Sequence, residues 1–232
     1  TMSSRFLDKL RAAARLGFGA ANNNAAGSFT AATAAVLCKA AGQYDVTTVR
    51  HIITRWPEAV HCTEADGLTP LHFAVIGRDR DHIDWLLAHG ANINARDSSG
   101  NTPLHYAAEC DDACHTQKLM DAGAHIDPRN NLGETPLYYA VMFERPQNVH
   151  ALVAAGARAD SARHDGETPL SLAAKNDKQP PGGTPAVRHD MQAVLDTALC
   201  ARQQAISGAS VLAGDMTLRC GPTVRKRVNA PK

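Results

Sequence analysis

Thr69-Pro70-Leu71-His72 is followed by Thr102-Pro103-Leu104-His105, then by Thr135-Pro136-Leu137-Tyr138 and Thr168-Pro169-Leu170-Ser171. The steps are 102 − 69 = 33, 135 − 102 = 33 and 168 − 135 = 33 residues. A fixed period in this range marks a stacked-repeat architecture, in which each unit buries its apolar side only against its neighbours. Reading outward from Thr69 gives the unit. Gly67 supplies a tight turn. Thr69 carries an N-cap hydroxyl, and Pro70 stands at the first helical position, where a missing N–H costs nothing. Leu71, Ala74 and Val75 fall three and four residues apart, on one face of a short helix. Asp79-Arg80 is a polar break. Ile83, Leu86 and Leu87 mark a second helix, which Gly90 ends. Ala91 to Asn94 then runs extended into the next turn, Asp97-Ser98-Ser99-Gly100.

A second motif keeps the same register: Gly90-Ala91, Gly123-Ala124 and Gly156-Ala157. Small residues at Ala74, Ala107-Ala108, Ala140 and Ala173-Ala174 let neighbouring first helices approach closely. The unit, Gly-x-Thr-Pro-Leu-His-x-Ala followed by Leu-Leu-x-x-Gly-Ala-x-Ile-Asn-Ala, resembles the ankyrin repeat. The resemblance covers about residues 31 to 200. It implies an all-α solenoid of stacked helix-turn-helix pairs joined by β-hairpin-like turns, with about five repeats.

The expected organisation has three parts. Residues 1–29 form an N-terminal helix (4–16, with Phe6, Leu7 and Leu10 on one face) and a Gly/Asn/Ala-rich linker (17–28). Residues 30–205 form the repeat domain: an irregular capping repeat 30–63, repeats 64–97, 98–130 and 131–163, and an inserted last repeat 164–205. In the cap, Val49, Ile52 and Ile53 point inward and Pro57 ends the second helix. The second helix of repeat 98–130 offers only Ala113, Leu119 and Met120 as clean apolar positions, which predicts the softest part of the stack. Pro146 fits the first turn of its helix. Aligning Leu195 with Leu87 gives 195 − 87 = 108 instead of 99, an insertion of nine residues around the Pro/Gly-rich stretch 179–185. Residues 206–232 lose the pattern and read as a disordered basic tail ending in Arg225-Lys226-Arg227.

The net charge of +1 hides an asymmetry. Residues 1–19 carry +3 and residues 201–232 carry +5, which leaves 1 − 3 − 5 = −7 for residues 20–200. An acidic body argues against nucleic acid as the partner, despite the basic ends. No apolar run approaches a membrane span, and no apolar core with a cleavage site opens the sequence. The cysteines lack framework spacing, so reduced thiols and a cytoplasmic setting are expected.

In the ankyrin family the histidine of the motif is structural, bridging backbone groups of adjacent turns. His72 and His105 take that role, with Tyr138 and Ser171 as hydrogen-bonding substitutes. Cys110, Cys114 and His115, with His105 in the same repeat, offer possible ligands, but the stretch straddles a loop and structural zinc favours tighter cysteine pairs. No nucleophile elbow, phosphate loop or zinc-protease motif is present. No cofactor, metal or small-molecule substrate is expected, and the chain is expected not to be an enzyme. The resemblance implies a scaffold or adaptor that binds another protein on its concave face. The alternative is a targeting or regulatory module of a larger protein, such as a secreted bacterial effector acting in a host cytosol or nucleus. The residues that the resemblance points into the groove are Leu68, Ile76, Asn101, Glu109, Glu134, Met142 and Phe143. Leu132 and, from the turns, Arg96 and Arg129 join them.

Overall fold

A computed structural model of the chain describes residues 31–176 and 190–200. The chain divides into a unit spanning residues 1–199 and another spanning 200–232. Only residue 200 of the second is described, so the account below concerns the first. The expectations for residues 4–16, 17–28, 179–185 and 206–232 lie outside the described residues.

The Thr-Pro-Leu motifs open helices where the period places them. Helix α1 is Ala31–Gly42, α2 is Val46–Arg55, and a single 3-10 turn covers Pro57–His61. Then come α3 (Pro70–Ile76), α4 (Arg80–Ala88), α5 (Pro103–Glu109), α6 (Cys114–Asp121), α7 (Pro136–Met142), α8 (Pro146–Ala154) and α9 (Pro169–Asn176). Residues 190–199 form α10. No strand occurs among the described residues. Helix α2 starts where the Asp45 carboxylate accepts the Thr48 N–H at 3.2 Å, and the same carboxylate takes the Thr47 and Thr48 hydroxyls. Those bonds, led by that of the Thr47 hydroxyl, hold the Asp45 carboxyl down at about 2.

Helices α1, α3, α5, α7 and α9 contact one another in succession, forming one layer. Each of α2, α4, α6 and α8 packs on the first-layer helix that precedes it, and α6 also meets α8. This is the all-α solenoid expected of the motif. The core repeats with the sequence. Leu71, Leu104 and Leu137 are fully buried, as are Leu86, Leu119 and Leu152. Burying each such side chain is worth about 1.5–3 kcal/mol, and Ala107 and Ala140, also buried, let α5 and α7 close on one another.

Leu195 of α10 is also fully buried and belongs to this core. Its register corrects the sequence alignment. Leu87 is only partly buried, whereas Leu86, Leu119 and Leu152 form the buried column. Leu195 therefore answers to Leu152, 195 − 152 = 43, and the insertion is ten residues rather than nine. Met191, four residues earlier, is buried like Asn148, four residues before Leu152.

The turns also repeat. Glu64 N–H bonds Leu68 O, Asp97 N–H bonds Asn101 O, Asn130 N–H bonds Glu134 O and Arg163 N–H bonds Glu167 O, at 2.7 to 3.0 Å. Adjacent turns are laced together by Ser98 N–H to Asp66 O (2.8 Å), Asn131 N–H to Ser99 O (2.9 Å) and His164 N–H to Leu132 O (3.1 Å). Gly100 sits at φ +79°, and a Cβ there would stand 2.9 Å from Asn131 N. Gly90 has φ +84° but open space around it. Both substitutions to alanine incur the left-handed penalty of about 1–2 kcal/mol. Gly100→Ala adds a clash with the backbone of the next turn. We expect Gly100→Ala to lower the thermal midpoint by several degrees more than Gly90→Ala. Equal shifts would mean that the turn stack yields at that point.

Candidate functional site

The side of the molecule formed by the turns and the first-layer helices is built on the motif histidines. The Thr69 N–H donates to His72 Nδ1 at 3.1 Å. That nitrogen must then carry the lone pair, so the proton sits on Nε2, which faces Asn101 O at 3.3 Å. His105 repeats the arrangement, with the Thr102 N–H at 3.0 Å on Nδ1 and Glu134 O at 3.1 Å from Nε2. Each histidine thus ties its own helix start to the turn 29 residues ahead. Burial pushes both imidazoles down to about 4, so they are neutral. They are structural bridges and not general bases. Tyr138 makes the same reach by a different chemistry, donating to Glu167 Oε2 at 2.6 Å. Ser171 keeps the local half only, accepting the Thr168 N–H at 2.8 Å.

Behind the turns runs a polar ladder. Asp97 Oδ1 accepts the Ser99 and Asn101 N–H groups at 2.9 and 2.7 Å. Tyr106 donates its hydroxyl to Asp97 Oδ2 at 2.5 Å, and Tyr139 donates to Asn101 Oδ1 at 3.0 Å. The Asn130 amide donates to Asn101 Oδ1 at 2.9 Å and Glu134 Oε2 at 2.8 Å. Burial pushes the Tyr106 and Tyr139 hydroxyls upward, Tyr139 to about 12, so both remain donors. Every member of the ladder is at least partly satisfied, which is the condition for keeping polar groups in a core.

Four of the residues expected in the groove are corrected by this arrangement. Leu68, Ile76, Asn101 and Glu134 are buried, at 8%, 6%, 3% and 6% exposure. Leu68, Asn101 and Glu134 occupy one register position, 33 residues apart, directly after the turn glycine. The chain there dives under the turn: Leu68 joins the apolar core, and Asn101 and Glu134 join the ladder. Ile76 ends α3, which is flanked by α1 and α5, and it packs in the core. The informative signal was Leu68 itself. An apolar residue in that register marks an inward position.

The remaining expected residues reach the surface. Leu132, at a turn tip, is 53% exposed, and Met142, at the end of α7, is 36% exposed. They bracket a helix of seven residues, about 10 Å long. Phe143 is half-buried, its ring 5.9 Å from Tyr139, which in turn meets His105 edge-on at 5.3 Å. Glu109 is half-buried, and its carbonyl accepts Arg145 Nε–H at 2.7 Å. Arg96 and Arg129 are exposed. Each also spans to the following turn: Arg96 Nη2 donates to Arg129 O, and Arg129 Nη2 donates to Ala162 O at 2.5 Å. The sequence reading missed this double use of the arginines.

Cys110 is buried with its thiol on Tyr106 O at 3.4 Å, and Cys114 is half-buried. Desolvation raises the Cys110 thiol above its usual range, which disfavours the thiolate. Among the described residues no three potential ligands gather around a metal-sized space, and no helix is long and apolar enough to cross a membrane. A face with fixed backbone, neutral bridging histidines and a few exposed apolar and cationic side chains is suited to holding another surface. In a comparison with known families, the family described as ankyrin repeats (3 copies) matches residues 37–130. Such repeats in general mediate protein–protein interaction and are typically non-catalytic.

Proposed function

From the premise that this is an ankyrin-repeat protein, matched over residues 37–130, we propose that it is a non-catalytic adaptor. On this reading it holds a partner protein against the turns and first-layer helices. The observation that carries it is the exposure of Leu132 and Met142 beside the half-buried Phe143. None of the three is needed by the core, whose columns are complete without them. Large apolar side chains left on a rigid face mark interaction sites, and Met, aromatic and Arg residues are enriched in interface cores.

The test is the double variant Met142→Glu with Phe143→Glu. Affinity-tagged full chain captures a partner, which mass spectrometry identifies, and titration gives its affinity for both proteins. The double variant is expected to lose roughly 2–4 kcal/mol of affinity, as for a hot-spot pair, while its circular dichroism and thermal midpoint stay close to those of the parent. Unchanged affinity in a folded variant overturns this site. Exposed Val36 on α1 (53%) would then be the next surface to mutate.

A further inference from the structure

The described residues contain twelve lysines and arginines. Seven of them, Arg78, Arg80, Lys118, Arg145, Arg158, Arg163 and Lys175, pair with carboxylates. Arg50 and Arg55 lie over the rings of Trp85 and Trp56. That leaves Lys39 on α1, and Arg96 with Arg129. The last two are unlike the rest. They are 33 residues apart, exposed, and each is anchored through one Nη2 to a backbone carbonyl of the next turn. A guanidinium has five N–H donors, so anchoring one group fixes the fork and leaves the others available. No carboxylate is within ion-pair distance of either among the described residues. In a segment that carries seven more acidic than basic residues (20–200), two cations without acidic partners stand out.

We propose that Arg96 and Arg129 form a pre-set pair of carboxylate forks for an acidic, polyproline II-like segment of the partner, with carboxylates at every third residue. The inference rests on the adaptor reading and names the chemistry of its partner. The spacing follows from the stack. Neighbouring first-layer helices pack about 8–10 Å apart, and the two arginines occupy equivalent positions in neighbouring repeats. A polyproline II segment has three residues per turn and a rise of 3.1 Å, so side chains three apart share a face about 9 Å apart. A β-strand fits worse, because residues three apart point to opposite faces. Leu132, at the tip of the turn that follows Arg129, offers an apolar contact beside the second fork. Planar guanidinium forks match carboxylates in paired geometry, which lysine cannot reproduce.

The experiment uses the full chain and a fluorescein-labelled synthetic peptide of four Glu-Pro-Leu units, read by fluorescence anisotropy. A peptide of the same composition with its glutamates grouped at one end, and a labelled single-stranded oligonucleotide, are run beside it. The Glu-Pro-Leu peptide is expected to bind best, and its affinity to fall on raising the salt. In Arg96→Gln with Arg129→Gln, affinity should drop about tenfold, the combined effect of two surface ion pairs. If that variant unfolds, Arg96→Lys with Arg129→Lys keeps the charge and should bind several-fold more weakly than the parent. Absence of peptide binding, equal binding by the parent and these variants, equal binding of the grouped peptide, or tighter binding of the oligonucleotide each overturns the proposal. If the peptide fails while partner capture still depends on Met142 and Phe143, the adaptor reading stands and only the partner chemistry is wrong.

Discussion

Acidification from pH 6.5 to 4 is expected to remove about 5 kcal/mol of folding stability, as much as the whole stability of a domain at the lower end of the usual range. The origin is the pair of bridging histidines. Each is held neutral by burial, with its ionisation depressed from 6.5 to about 4 in the folded state. Unfolded, each takes up a proton near 6.5. Between those limits the unfolded chain binds more protons, so stability rises with pH and is lost as pH falls. Each histidine contributes up to ~1.4 kcal/mol per pH unit across the window. His82 and His115, whose ionisation burial also depresses, act in the same direction. Urea denaturation at pH 7, 5.5 and 4.5 reads the effect directly. His105→Gln should weaken the fold at pH 7 and flatten the slope below it. A folded chain equally stable at pH 7 and 4.5 would remove the histidines from the account.

The second large effect is expected at Asn148, which is fully buried in α8. Its amide NH2 donates to Cys110 O at 2.6 Å and Ala108 O at 3.2 Å, at the end of α5. Only the NH2 end can serve carbonyls, so the orientation of the amide is set. Its oxygen then accepts the Thr116 hydroxyl at 2.7 Å. Asn148→Ala leaves these groups without partners in a buried interface, at about 1–3 kcal/mol each, in addition to a cavity. A loss of about 4 kcal/mol by urea denaturation is expected. Asn148→Leu fills the volume but not the bonds and should recover only the cavity part. A loss below about 1 kcal/mol in the alanine variant would mean that water enters and replaces the amide.

The same residue explains what the sequence could and could not reveal. Helix starts were legible because Thr-Pro-Leu specifies a local conformation, and the period placed them without reference to tertiary contacts. The core columns at Leu71, Leu104 and Leu137 followed from apolar spacing. Polar burial did not. Asn101 and Glu134 look like surface residues until Asn130, Tyr139 and the turn backbone are placed around them. The apolar pattern of α6 is weak where Thr116 and Asn148 place a bonded polar pair in the interior. Such pairs join residues 32 to 41 positions apart, and no single-repeat pattern announces them. Exposure at Leu132 and Met142 was legible, because an apolar residue outside the core columns has nowhere else to go.

The bonds between repeats described above, from His72 to Asn101 and from Asn148 to Ala108, span 29 to 40 residues. Contacts of this kind close short loops, and loop closure of modest length is fast. Folding of this chain should therefore spread like a zipper from whichever repeat orders first. Pulling on its two ends should unravel it one repeat at a time, giving a sawtooth of small force peaks in place of one large rupture.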